Sequence, residues 1–209
     1  MHAANWLLLF RFSEHKNRIE NLIRLYESHP DSKLAGRKET ESTDILRAAV
    51  VLLHATFEDM CRTVERHMTP YASKEAVNAI PLKGHGDRGQ PSRFLLGELL
   101  VFKGKSVDDV IKESQQEYLL RTSYNSPKDL FLMLSRYGLN KKHFVAYAPE
   151  LSSLNKRRHQ IVHQADWNDK KGKGQHRFTS IGKTKVKRWL KCIEGIYDAF
   201  QVATKERTK

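Results

Sequence analysis

Apolar residues recur three and four positions apart over most of the chain, which is the period of one helix face and not the alternation of a strand. Over 5–28, Phe12, Ile19, Leu22, Ile23 and Tyr26 keep that spacing, and the run stops at His29-Pro30. Polar residues 31–41 read as a loop. Ser42 or Thr43 is the expected N-cap of a second helix reaching Met68, since a short hydroxyl side chain accepts from the free amides of a first turn. Leu46, Val50, Leu53, Phe57, Met60 and Val64 form its stripe, which makes this helix the expected core.

Between Pro81 and Pro91 the segment PLKGHGDRGQP holds three glycines and two prolines, so it reads as an exposed connection flanked by short helices. Ser106 with Asp109 three residues on predicts a helix to Arg121. Ser126-Pro127 opens another, and Gly138 closes it. Pro149 leads into a helix over 150–165. The loop KKGKGQHR at 170–177 then leads into a closing helix over 183–205, with Val186, Leu190, Ile193, Ile196, Tyr197 and Phe200 on its buried side. There is no convincing alternating strand and no internal repeat. The expected fold class is all-α, a helical bundle with extra short helices in a single domain over 1–209.

Composition adds three constraints. At 39% hydrophobic and 29% charged, the 209 residues suit a globular chain with a solvated surface. The apolar run from Trp6 to Phe10 ends at Arg11, too short for a leader core or a membrane helix, so the chain is expected to stay in the cytoplasm. Cys61 and Cys192 lie on separate apolar patterns and read as reduced core residues. The net charge of +13 is concentrated at the end: residues 155–209 carry fifteen Lys or Arg against five acids, the other 154 residues twenty-two against nineteen. Local cation density of this kind suits a polyanion partner, although a solvated basic helix without a partner has the same composition.

One position breaks the apolar pattern. In the 150–165 helix, Leu151, Leu154, Arg158, Ile161, Val162 and Ala165 share a face, which places a guanidinium inside the stripe. A buried arginine costs several kcal/mol unless it is paired, so a carboxylate or a phosphate should meet it. Glu58 of the second helix is the chosen carboxylate; an i,i+4 pair with Arg62 is its plainer reading. His163 follows Arg158 by five residues at the helix end, and imidazole titrates near neutrality, at about 6.5 when unperturbed. A cation and a proton-transfer group are the parts that RNA cleavage without metal needs.

The segment RRHQIVHQADW at 157–167 resembles the Arg-x4–6-His motif of HEPN domains, with polar His159 directly after the arginine. The segment DILRAAVVLLHATFEDMCR at 44–62 is similar to the long helix of that superfamily, above all in its RiboL-PSP-like branch, and the resemblance covers roughly 40–200. Spacing alone is weak, because Arg24 to His29, Arg62 to His67, Arg47 to His54 and Arg136 to His143 satisfy the same count. Only Arg158 adds the apolar-face position, the polar follower and the basic loop downstream.

The resemblance implies a HEPN-like bundle that pairs as a homodimer with the two motifs facing. It implies a composite cleft that cleaves RNA without metal or other cofactor, leaving a cyclic phosphate. It assigns Arg158 to the scissile phosphate and His163 to proton transfer. His159 either orients the phosphate or is only the exposed neighbour of His163. Lys156, Arg157, Lys170, Lys171, Lys173 and Arg177 would hold the flanking RNA backbone by charge. A toxin or defence role, with a cognate antitoxin or inhibitor as partner, comes by analogy.

Rival readings stand beside this one. His159, His163 and Asp166 fall at i, i+4 and i+7 and offer three metal ligands, although Gln160 stands where a zinc-protease helix carries its glutamate base. GKS at 104–106 and GKT at 182–184 lack the leading glycine of a phosphate loop, and GHGDRG at 84–89 follows no strand. A non-catalytic basic HEPN domain that binds nucleic acid or a protein partner is the alternative function. A purely structural dimer, with Arg158 bonded across its interface, is the third.

Overall fold

Seven α-helices order the residues that a computed structural model describes, 3–30, 40–83, 96–168 and 178–208. They are α1 (Ala3–Ser28), α2 (Thr40–Met68), α3 (Lys74–Asn78), α4 (Val107–Arg121), α5 (Pro127–Arg136), α6 (Ala148–Gln164) and α7 (Lys183–Arg207). Short 3-10 turns at Thr69–Tyr71, Leu96–Phe102, Lys141–His143 and Val145–Tyr147 join them. Among the described residues the only extended pairing is one isolated bridge between Trp167 and Phe178, so the fold is all-α as expected. None of the described helices is long and apolar enough to cross a membrane.

Helix α2 is the centre of the bundle. Its predicted stripe from Leu46 to Val64 is buried throughout, against α1, α6 and α7. Each such side chain stabilises the fold by roughly 1.5–3 kcal/mol on area grounds. Helix α1 contributes Ile19, Ile23 and Tyr26, and its Phe12 stacks on Tyr197 of α7 with centroids 4.4 Å apart. Midway along α7, a Cβ at Gly195 would collide with the Tyr147 ring, so the absence of a side chain lets the turn before α6 lie directly on α7. Cys61 and Cys192 are both free and buried, and burial pushes both thiols up, Cys192 to about 12, which leaves them poor nucleophiles.

The predicted caps divide into two kinds. Ser106 accepts from the Asp109 amide, and Ser126 with Asp129 forms a complete capping box before Pro127. Gly138 closes α5 at φ 66°. Ser42 and Thr43, by contrast, are not caps: α2 begins earlier, at Thr40, and both residues are buried inside it. Thr43 Oγ1 donates to the Thr40 carbonyl and accepts from Arg47, so a tertiary partner claims the hydroxyl that local sequence assigned to the helix end. The expected loops at 31–41, 81–91 and 170–177 fall mostly outside the described residues, and Lys170, Lys171, Lys173 and Arg177 lie outside them entirely.

Candidate active site at the end of helix α6

Proline at the first turn starts α6, and its buried face runs Leu151, Leu154, Asn155 and then the half-buried Arg158. The guanidinium therefore lies on the face of Leu151, Leu154 and the partly buried Ile161, whereas Val162 and Ala165, expected on the same stripe, are exposed, Ala165 as the left-handed cap beyond the helix. Its Nε is buried and has no hydrogen-bond partner. Across from it on α2 lies His54, 1% exposed, whose Nε2 is likewise buried and unpartnered. Burial pulls the His54 pKa down and the charges of Arg158 and Arg62 add to that, against Glu58 and a backbone bond with Tyr124, so this imidazole is held neutral.

Glu58 does not supply the expected clamp on Arg158. One turn beyond His54 on α2, it accepts from the Tyr124 amide at 3.0 Å and lies 3.6 Å from Arg62 and 3.9 Å from His54. The approach to α5 presents a backbone N–H that must be satisfied, and Glu58 satisfies it. The plainer pairing with Arg62 is the one formed.

On the outer side of α6, the exposed rings of His159 and His163 lie 4.6 Å apart at 41°. His159 also lines a cleft of about 440 Å³ between the start of α5 and α6, together with Asn125, Ser126, Asn155, Lys156 and Gln160. Lys156 is exposed there, as a phosphate-binding cation should be. Arg157 is not available in that way: it donates to Asp166 at 2.6 Å, to the Thr179 carbonyl at 2.9 Å and to Gln160 at 3.1 Å. Burial and nearby Arg47 pull its pKa down while Asp166 holds it up. Its predicted role on RNA is replaced by a structural one.

Asp166 is the centre of that structure. It is 1% exposed, and the same carboxylate oxygen receives Arg157 and Arg47, each at 2.6 Å. Arg47 also reaches Thr43 and the Thr179 carbonyl and lies over the Phe178 ring. The chain turns here through two left-handed residues, Ala165 at φ 47° and Asp166 at φ 58°, whose amides both bond to the Gln160 carbonyl. This latch fixes the last turn of α6, and with it His163. It also dissolves the rival metal set, because Asp166 is buried under two arginines while His159 and His163 face outward. Among the described residues no three His, Cys, Asp or Glu side chains gather as a metal site requires. Ser106 and Gly182, from the two supposed phosphate loops, are simply the N-caps of α4 and α7.

The RiboL-PSP-HEPN family model matches residues 13–205, from within α1 to near the end of α7. The chain belongs to that family. No curated protein and no solved structure matches it. In this HEPN domain, Arg158 and His163 project about 140° apart around α6, because five residues advance a helix by that much beyond one turn. Sequence reasoning missed His54, Asn155 and the Arg47–Asp166 latch. Arg47 had a signal, since Thr43, Arg47 and Val50 run down one side of α2 and a guanidinium in such a run needs an anion.

Proposed function

We propose that this HEPN domain is a metal-independent endoribonuclease whose cleft is completed by a second copy of the chain. The observation that carries the reading is Arg158: a guanidinium set in an apolar stripe, its Nε unpartnered, on a helix that bears two exposed histidines one and five residues further on. A scissile phosphate is the anion that such a group awaits. Since Arg158 and His163 of one chain diverge, a facing copy that brings its own pair is the arrangement that lets both act on one phosphate.

In the reaction, one histidine takes the proton of a ribose 2′-hydroxyl, and the 2′-oxygen bonds to phosphorus as the bond to the 5′-oxygen breaks. An acid at the same phosphate gives a proton to that leaving oxygen, and Arg158 holds the charge on the non-bridging oxygens. The products are a 2′,3′-cyclic phosphate and a 5′-hydroxyl. His163 is the proposed proton-transfer group and His159 its neighbour on the phosphate. An enzyme that cuts RNA in the cytoplasm needs restraint, so a cognate antitoxin or inhibitor is the protein partner that suits a toxin or defence role.

The test is cleavage of labelled RNA by the purified protein in excess EDTA. The wild type is expected to cut and to leave cyclic phosphate ends, while folded Arg158→Ala and His163→Ala variants lose at least about a hundredfold in rate. Binding without cutting by the wild type would move the reading to the non-catalytic nucleic-acid-binding domain.

A further inference from the structure

Asn155 is a buried side chain that the packing leaves unexplained. It is 5% exposed, and neither Nδ2 nor Oδ1 has a hydrogen-bond partner. Native folds seldom leave both ends of an amide buried and unpaired, because each end forfeits its bond to water and gains nothing. The same residue lines the cleft of about 440 Å³ beside the histidines, and its unpaired amide lies buried in the wall of that cleft. A volume of that order is typical of a small-ligand site.

The remaining lining narrows what can enter. Gln160 is committed at both ends, to Arg157 and to Thr179. Asn125 donates to Ser123. The start of α5 is closed by its own capping box, with the Asp129 carboxylate accepting from the Ser126 amide and hydroxyl, so a negative charge already sits at that helix end. What stays free includes the buried Asn155 amide, one exposed cation at Lys156 and the His159 ring, itself 4.6 Å from His163, beside Ser152 and the exposed Gln164. A flat heterocycle with a phosphate attached matches that set: the amide reads an edge, the imidazole stacks on a face, and the lysine meets the charge.

We propose that this cleft is a nucleobase subsite in which Asn155 reads the base next to the scissile phosphate. Its placement relative to the cut rests on the ribonuclease reading, through the His159–His163 contact. A primary amide presents an acceptor beside a donor and pairs two-pronged with an edge of the opposite order. Adenine has that edge at N6 and N7, so adenine is the expected base.

The experiment titrates fluorescent hexaadenylate and hexauridylate into the full chain carrying His163→Ala, which separates binding from cutting. The same titrations follow with Asn155→Leu or Asn155→Ser added. Leucine keeps the branched shape, with somewhat more bulk, and removes the unpaired amide, and serine is a second route should packing fail. The parent is expected to hold hexaadenylate about tenfold more tightly than hexauridylate, and either Asn155 substitution to abolish the difference while affinity for hexauridylate stays. A parent without base preference, or a preference untouched in both variants, overturns the proposal. Loss of the dimer in Asn155→Leu with the preference intact also overturns it, since the amide would then serve the partner copy. The two readings fail separately. A chain that never cuts RNA but loses its base preference with Asn155 keeps the subsite alone; one that cuts through Arg158 and His163 and ignores Asn155 keeps the ribonuclease alone.

Discussion

Ala165 stands in the left-handed region at φ 47°, where a Cβ crowds the following carbonyl, and it is exposed. Its methyl therefore adds strain with little packing in return. Ala165→Gly is expected to stabilise the fold by about 1 kcal/mol, less what glycine adds to the freedom of the unfolded chain, and a higher urea midpoint is the readout. A second single-residue effect depends on pH. Glu65 is 1% exposed and accepts from the Tyr124 hydroxyl at 2.7 Å and the Tyr137 hydroxyl at 3.4 Å, yet burial outweighs these bonds and the Arg136 charge and raises its pKa above 4.5. A raised carboxyl binds more protons folded than unfolded, so stability falls as pH climbs from about 4.3 through the folded value and is flat above it. Glu65→Gln removes that loss: relative to wild type, the variant should gain stability between pH 4.5 and 7.5 in urea unfolding, and an equal offset at both would contradict it. The sequence put Ala165 on the buried face of α6, where the structure has it exposed past the helix end, and no pattern marked Glu65. Glu65-Arg66-His67 reads as a solvated helix end, and only the arrival of Gln115 from α4 and the two tyrosines around α5 buries it.

At the scale of the element, the span and face of α6 could be read from Leu151, Leu154 and Arg158, because a helix repeats its own geometry and needs no partner to show it. What faces α6 could not be read so. Glu58 and His54 lie one turn apart on α2, and the choice between them as neighbour of Arg158 depends on a backbone amide at Tyr124 that no periodicity reveals. The same limit misplaced Arg157, which looked like one more cation in a basic run and proved to be half of the latch on Asp166. Asp166→Asn leaves two buried guanidiniums facing a neutral amide, and loss of one member of a buried charge cluster costs about 3–5 kcal/mol. Its expected signature is a large fall in thermal midpoint together with proteolytic cleavage near 165–168, because the last turn of α6 loses its tie. Wild-type-like resistance there would mean that the bonds from Arg47 and Arg157 to the Thr179 carbonyl hold the turn without the carboxylate.

For the whole molecule, the basic excess of residues 155–209 is less free than a count suggests. Lys185 and Arg188 pair with Glu150, and Lys183 and Lys187 pair with Glu27, so much of the α7 charge at its start is answered within the fold. Affinity for RNA then has to come from a few cations near the cleft and from whatever a second copy adds. The composite reading makes that addition testable without knowing the RNA target. In a two-fold dimer each of two sites would combine Arg158 of one chain with His163 of the other. Arg158→Ala and His163→Ala homodimers have no complete pair. Mixed after partial unfolding and refolded together, they form heterodimers in about half of the population, each with one intact pair, which restores about a quarter of wild-type cleavage. If both residues must instead come from one chain, every species in the mixture lacks one of them and the mixture stays as inactive as its parts. A titration of one variant into the other sharpens the outcome: activity in trans peaks at equal amounts and falls on either side, and no contaminating nuclease follows that curve.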